Sequence, residues 1–240
     1  MHNKIGSPSR NEIWKMFDQI SLTYDRVNRV MTLGLDRYWR KKLCSYLPKG
    51  QNLSLLDCAT GTGDQIIALL QSSADIHSVI GLDLAEAMME IGRKKIEKFS
   101  FKDKVSFQVG SALELPFPQN HFDCVSISFG IRNVTDVSLA LRECHRVLKP
   151  RGRLLILEGT LPESRWLKSL HLFYLRHLLP RIGGILSKNK NAYRYLNETI
   201  ETFPEGKAFC QLLEKAHFTA IRPNRLMGGI TTIYQADKRE

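Results

Sequence analysis

The feature that most constrains this chain is an apolar strand that breaks on glycines, followed by a helix and a second apolar strand. Leu55-Leu56-Asp57-Cys58-Ala59-Thr60-Gly61-Thr62-Gly63-Asp64 leads to Val79-Ile80-Gly81-Leu82-Asp83. At the break, glycine tolerates positive φ and lets a ligand approach the backbone closely. The second strand closes on an acid 22 positions beyond Gly61, near the roughly 20-residue spacing of a nucleotide-binding βαβ unit. An acid there suits a ribose, whose hydroxyls need an acceptor.

The rhythm continues downstream. Leu53 to Ala59, His77 to Asp83, Val105 to Val109, Phe122 to Phe129 and Arg153 to Glu158 read as strands. Asp64 to Ser72, Ala85 to Phe99 (with Ala87, Met88, Ile91 and Ile96 inward) and Val137 to Leu148 read as the intervening helices. Lys149-Pro150-Arg151-Gly152 reads as a turn. Such alternation predicts a parallel sheet covered on both faces through right-handed crossovers. Thr219 to Leu226 and Ile230 to Ala236, joined at Met227-Gly228-Gly229, read as a hairpin at one sheet edge.

Residues 1–50 are expected to form a helical cap, with a helix over Asn11 to Ile20, a break at Gly34 and a helix capped by Asp36 that runs to Leu47. Residues 51–240 form the main domain. Within it, about 161–203 is an inserted helical lid, basic and apolar at once, interrupted by Pro180 and Gly183-Gly184. Pro204-Glu205 starts a last helix reaching about Ala216.

The five cysteines are scattered and form no CxxC pair, so neither a zinc site nor a disulfide framework is indicated, and reduced, buried thiols suit the cytoplasm. No apolar run approaches the roughly 20 residues that span a bilayer, and Met1 to Gly6 lacks the apolar core of a secretory signal. Net charge is +11. From Arg165 to Arg194 there are seven basic residues and no acid, and from Met1 to Gly50 ten basic residues against four acids. This suits an anionic membrane surface or nucleic acid as well as an ordinary solvated face.

The glycine turn also discriminates between cofactors. A dinucleotide-binding GxGxxG carries a third glycine beneath a pyrophosphate; here that position is Ile66, and Asp64 sets a negative charge where a phosphate would sit. An acid repels phosphate but accepts from an ammonium. S-adenosylmethionine carries an ammonium and a sulfonium and no phosphate, and the chemistry favours it.

Gly110-Ser111-Ala112-Leu113-Glu114-Leu115-Pro116-Phe117, Asn120 to Val125 and Leu148 to Leu154, in that order, resemble the class I S-adenosylmethionine-dependent methyltransferases over about Leu53 to Gly159. That implies a Rossmann-like α/β fold with a mostly parallel seven-stranded sheet and an antiparallel C-terminal hairpin strand. Phe129-Gly130-Ile131-Arg132-Asn133-Val134-Thr135-Asp136 is similar to the signature of the UbiE/MenG family of menaquinone and ubiquinone C-methyltransferases. Met16 to Ser21, Tyr24 to Asn28, Tyr195 to Ile200 and Gly228 to Ile230 match that family's flanking landmarks. Thr60, where many relatives have Gly or Cys, and Ser111, where they usually have Asn, depart from the pattern.

The resemblance implies C-methylation of a polyprenyl quinol, demethylmenaquinol to menaquinol being the expected reaction and a benzoquinol of ubiquinone biosynthesis the alternative. It implies cofactor contacts from Thr62, Asp83, Ser111, Ala112 and Ser128, with Gly61 and Gly63 in the turn. The chemistry of the groups places Asp83 on the ribose, and Asp57 and Asp64 toward the methionine ammonium. Arg132 is expected to stabilise a phenolate and position a water, with Asn133 on the second oxygen; the competing role for Arg132 is a structural pair with an acid such as Asp136. Tyr24, Asn28, Tyr195 and Glu198 are further candidates for the substrate pocket. The acceptor's tail implies a cytoplasmic protein peripheral to the inner face of a membrane, with residues 164–194 as a mobile lid and lipid contact. Oligomeric state stays open, a homodimer included. An RNA or small-molecule methyltransferase, or a non-catalytic S-adenosylmethionine-binding protein, shares the fold. No aromatic-basic RNA module is seen, and an intact turn with Asp83 and a full FGIRN segment speaks against a non-enzyme.

Overall fold

The computed structural model describes residues 12–187 and 190–240. Its frame is a seven-stranded sheet. The strands are β1 (Leu53–Cys58), β2 (Ile76–Asp83), β3 (Val105–Val109), β4 (Phe122–Ser128), β5 (Leu148–Gly159), β6 (Phe218–Leu226) and β7 (Thr231–Lys238), in the spatial order β3-β2-β1-β4-β5-β7-β6. The first five are parallel; β7 runs antiparallel to β5 and to β6. Pro223, which cannot donate to a ladder, sits on β6 at the edge. Between β1 and β4 the chain reverses its direction across the sheet, and at such a switch point the strand ends splay into a crevice.

The helices are α1 (Ile13–Met31), α2 (Leu35–Cys44), α3 (Asp64–Leu70), α4 (Glu86–Ile96), α5 (Val137–Val147), α6 (Arg165–Phe173), α7 (Leu179–Ser187), α8 (Lys190–Thr202) and α9 (Lys207–Lys215). One sheet face packs on α5 and α9 through Leu141, Cys144, Phe209 and Leu213, and the other on α2, α3 and α4 through Trp39, Leu43, Ile66, Leu69 and Ile96. A third apolar cluster lies off the sheet. There Ile13, Met16, Ile20 and Val27 of α1 meet Leu175, Leu179 and Tyr195 of the insertion.

Several expectations need correction. The first helix continues well past Ile20, to Met31; its expected start at Asn11 lies outside the described residues. Gly34 at φ 79°, rather than Asp36, occupies the N-cap of α2, and α2 ends at Cys44. Asp36 instead accepts from Arg29 (2.5 Å) and Thr32 (2.9 Å). On α4 it is Met88, Met89, Gly92 and Ile96 that are buried, while Ala87 is exposed. Lys149 to Gly152 is absorbed into β5 as a bulge, since Phe122 pairs with Leu148 but Cys124 with Arg153.

Pro180 and the glycine pair do not break the insertion. Pro180 lies in the first turn of α7, and the π-helical turn Tyr174–Leu178 widens the helix just before it. A proline lacks the N–H that an α-helical ladder would need there, and the wider turn absorbs the mismatch.

Candidate functional site

At the carboxyl ends of β1 and β4 the backbone bends sharply. Ala59 (φ 55°) and Phe129 (φ 59°), one residue past each strand, are left-handed, as are Gly61 (φ 54°) and Gly63 (φ 74°). Such strain is retained where surrounding structure enforces it, commonly around a site. The two bends touch at Gly130, where a Cβ would come within 2.5 Å of the Ala59 Cβ. Only glycine fits there.

The bends open a cavity of about 400 Å³. Of the residues expected to contact the cofactor, Gly61, Thr62, Asp64, Asp83, Ser111, Ala112 and Ser128 line it. Asp83 closes β2 and faces in; its oxygens accept from Gly61 N–H (2.8 Å) and Ala85 N–H (2.9 Å), which ties the turn to the strand end. Burial pushes its carboxyl above the usual range. Ser128 is steadied by donating to Gln65 (2.9 Å).

Asp57 and Gly63 do not line the cavity. Asp57 is buried beneath the turn, where it accepts from Thr60 (2.7 Å) and Ser126 (2.6 Å). It organises the turn rather than facing a ligand. Thr60 is therefore a working substitution, since its hydroxyl supplies one of those bonds. Asp64 does line the cavity, but it already pairs with Lys95 (2.5 Å) and Arg29 (3.3 Å). Burial alone would raise its carboxyl, but Lys95, Arg40 and Arg29 outweigh it and hold it below the usual range.

α1 straps across this cavity. Asp25 accepts from the Thr62 hydroxyl (2.5 Å) and pairs with Lys95 (2.8 Å), and Asp18 accepts from Ala87 N–H (3.0 Å).

A second cavity, about 620 Å³, adjoins the first. Phe17, Tyr24, Arg40, Asp64, Phe129 and Asn133 line both. Beyond them the walls are apolar side chains of α1 and of the insertion, among them Ile20, Leu175, Leu179, Leu196 and Ile200. Its rim includes Leu33, Leu170 and Phe173, which are exposed to 87%, 52% and 54%. Exposed apolar side chains grouped at a cavity mouth commonly mark a ligand groove or an interaction surface.

Arg132 and Asn133 lie in the 3-10 turn Ile131–Asn133 and line this larger cavity. The acid paired with Arg132 is not Asp136, which caps α5 by accepting from Leu139 N–H (2.9 Å). It is Glu158, the last acid of β5, buried completely and also accepting from Gly159 N–H (2.9 Å). The Asn133 Oδ1 and Glu158 Oε2 atoms are buried with no hydrogen-bond partner among the described residues. Of the weaker candidates, Tyr24, Asn28 and Tyr195 line the larger cavity and Glu198 does not. Burial pushes the Tyr24 phenol up, opposed by the charge of Arg132. Glu158, Arg40 and Asp25 were missed as site residues. Glu158 carries the very signal that singled out Asp83, a lone acid closing an apolar strand.

The residues present suit the cofactor expected from the sequence. Among the described residues, the smaller cavity is walled by two carboxylates, hydroxyls and a single guanidinium. That set matches an amino-acid zwitterion and a ribose, whereas a pyrophosphate asks for more positive charge.

The chain is similar to known proteins over nearly its full length. The model of the ubiE/COQ5 methyltransferase family matches residues 6–238. A demethylmenaquinone methyltransferase of Bacteroides fragilis is 38% identical over 227 residues, covering 95% of this chain and 92% of that protein. A ubiquinone/menaquinone biosynthesis C-methyltransferase UbiE of Geotalea uraniireducens is 37% identical, covering 95% and 96%. Among solved structures, a SAM-dependent methyltransferase from Thermotoga maritima superposes with a TM-score of 0.66 at 20% identity, covering 94% of this chain and 99% of that one. The [4+2]-cyclase SpnF gives a TM-score of 0.66 at 16% identity, covering 98% of each. These likenesses establish the fold; two such different chemistries on it leave the reaction to the site.

Proposed function

The chain belongs to the ubiE/COQ5 methyltransferase family, and on that premise we propose that it transfers a methyl group from S-adenosylmethionine to a ring carbon of a polyprenyl quinol, demethylmenaquinol foremost. The single observation that carries this reading is the pair of adjoining cavities. One is polar and ends on Asp83; the other is apolar and ends on exposed side chains; Asn133 and Tyr24 stand at their junction.

Bound in the polar cavity, S-adenosylmethionine supplies an electrophilic methyl on a sulfonium. The rest is the work of the chain. Arg132 presents a cationic guanidinium to the apolar cavity. Its charge favours the ionised form of a ring hydroxyl, and an ionised hydroxyl enriches the neighbouring ring carbon in electrons. Glu158 anchors that guanidinium from behind. Asn133, with an unsatisfied Oδ1, accepts from the second ring hydroxyl and orients the ring. A water held by Arg132 takes the hydroxyl proton away, and once the methyl has joined the ring carbon that carbon gives up its own hydrogen as a proton, which restores the aromatic ring and its hydroxyl. The apolar walls take the first units of the tail and exclude bulk water.

The tail reaches a bilayer through the rim. Trp166, Leu170 and Phe173 lie along one face of α6 and are exposed to 74%, 52% and 54%. Arg165 and Lys168 flank them and are exposed too. Apolar side chains bordered by cations suit an anionic lipid surface. Among the described residues no helix is long and apolar enough to cross a membrane, so contact at the surface is the mode proposed.

The test is direct. Purified protein, S-adenosylmethionine and chemically reduced demethylmenaquinone should yield menaquinol by mass spectrometry, with the demethylated benzoquinol converted more slowly. Absence of methyl transfer to either quinol would overturn the reading.

A further inference from the structure

We propose that Arg40 binds the carboxylate of the cofactor's methionine arm, an assignment that rests on the S-adenosylmethionine reading above. Arg40 lies on α2, far in sequence from the glycine turn and from FGIRN, and its guanidinium stands in the wall shared by the two cavities.

Arg40 is the one cation near the polar cavity left without an ionic partner among the described residues. Among the described residues lining the polar cavity, Arg40 is the only Lys, Arg or His. The neighbouring cations are all engaged: Arg29 with Asp36 and Asp64, Lys95 with Asp25 and Asp64, Arg132 with Glu158. Arg40 forms no ion pair with a described residue, and its Nε is buried without a hydrogen-bond partner. What holds it is the Phe129 ring, 5.4 Å from the guanidinium carbon. A cation that is neither paired nor free in solvent is costly unless a ligand completes it.

The ligand has the matching gap. The ribose has Asp83 and the ammonium has Asp64, but no other described wall residue carries a positive charge to neutralise the carboxylate. A planar guanidinium takes a carboxylate through two parallel N–H donors, and the Phe129 ring beside it limits where that guanidinium can lie. A quinol oxygen is the rival partner, because Arg40 also borders the apolar cavity.

Calorimetry on the full chain separates them, using S-adenosylmethionine, its decarboxylated form and methylthioadenosine. The wild type should bind S-adenosylmethionine about 10- to 100-fold tighter than the decarboxylated form. Arg40→Gln should abolish that preference while binding methylthioadenosine as the wild type does. An unchanged preference in Arg40→Gln overturns the proposal, and so does unchanged cofactor affinity with a fall in kcat, which would assign Arg40 to the acceptor. Should Arg40→Gln lose methylthioadenosine as well, Arg40→Lys decides: its point charge should keep only part of the preference, and full retention counts against a bidentate contact. If the wild type binds none of the three, the cofactor reading fails rather than the role of Arg40.

Discussion

Glu158 holds Arg132 in an ion pair buried where two parallel strands, β4 and β5, end side by side. Neither charge reaches bulk water, and only the arginine lines the cavity. Glu158 is thus placed to position the guanidinium, and Arg132 is the member of the pair that faces the cavity.

Removing one partner should cost far more than removing both. Glu158→Leu strands a guanidinium and should lower stability by about 3–5 kcal/mol, whereas Glu158→Leu with Arg132→Met should recover most of it without recovering turnover. Arg132→Ala should lower kcat about 100- to 1000-fold with cofactor affinity intact. Glu158→Gln leaves Arg132 uncompensated, so the acid limb of the pH–rate profile should move to lower pH. A purely structural acid would leave that limb in place.

Asp57 carries a pH signature. Burial raises its carboxyl from 3.8 to about 6, against hydrogen bonds from Ser126 and Thr60. The folded state therefore keeps a proton that the unfolded chain has already released, and stability falls as pH rises between those values. Charging this group costs the fold about 3 kcal/mol above pH 6. Asp57→Asn should gain stability over wild type in that same window and hold the gain at higher pH. Denaturant unfolding at pH 4 and pH 7.5 measures it; equal differences at both pH values would rule the assignment out.

The strap over the polar cavity is electrostatic at its latch. Asp25 bonds Thr62 and Lys95 with about a third of its side chain exposed. Pairs of that exposure contribute about 1 kcal/mol, so Asp25→Asn should leave the global midpoint nearly unchanged. It should nonetheless speed amide exchange in α1 selectively, and high salt should mimic it in the wild type. Uniform acceleration across the sheet would show instead that α1 does not open on its own.

Trp166→Ser with Phe173→Ser should weaken flotation with anionic liposomes, and should slow turnover on long-tailed quinols more than on a short-tailed analogue. Wild-type binding that ignores anionic lipid content would argue against the α6 face as the lipid contact.

Much of the cradle was legible because it is local. A strand, a glycine turn and a strand-end acid are read within about thirty residues, and Gly61, Thr62, Asp64, Asp83, Ser111, Ala112 and Ser128 all line one cavity. The errors share a cause. Asp57 looked like a ligand group because sequence shows that an acid ends a strand but not whether Ser126, on a neighbouring strand, will cover it. Pro180 looked like a break because periodicity does not announce a π turn.

By itself, then, the sequence determined the alternating sheet, the turn that prefers a sulfonium donor to a pyrophosphate, and the family, since each rests on short-range backbone chemistry and on motif order. The pairings around the two cavities were decided only in three dimensions. Arg132 and Glu158 lie 26 positions apart, and Asp25 and Thr62 lie 37 apart. Their pairing depends on which strands become neighbours and which helix lies over the turn, and packing settles that, because a buried charge must find its partner wherever the fold brings one.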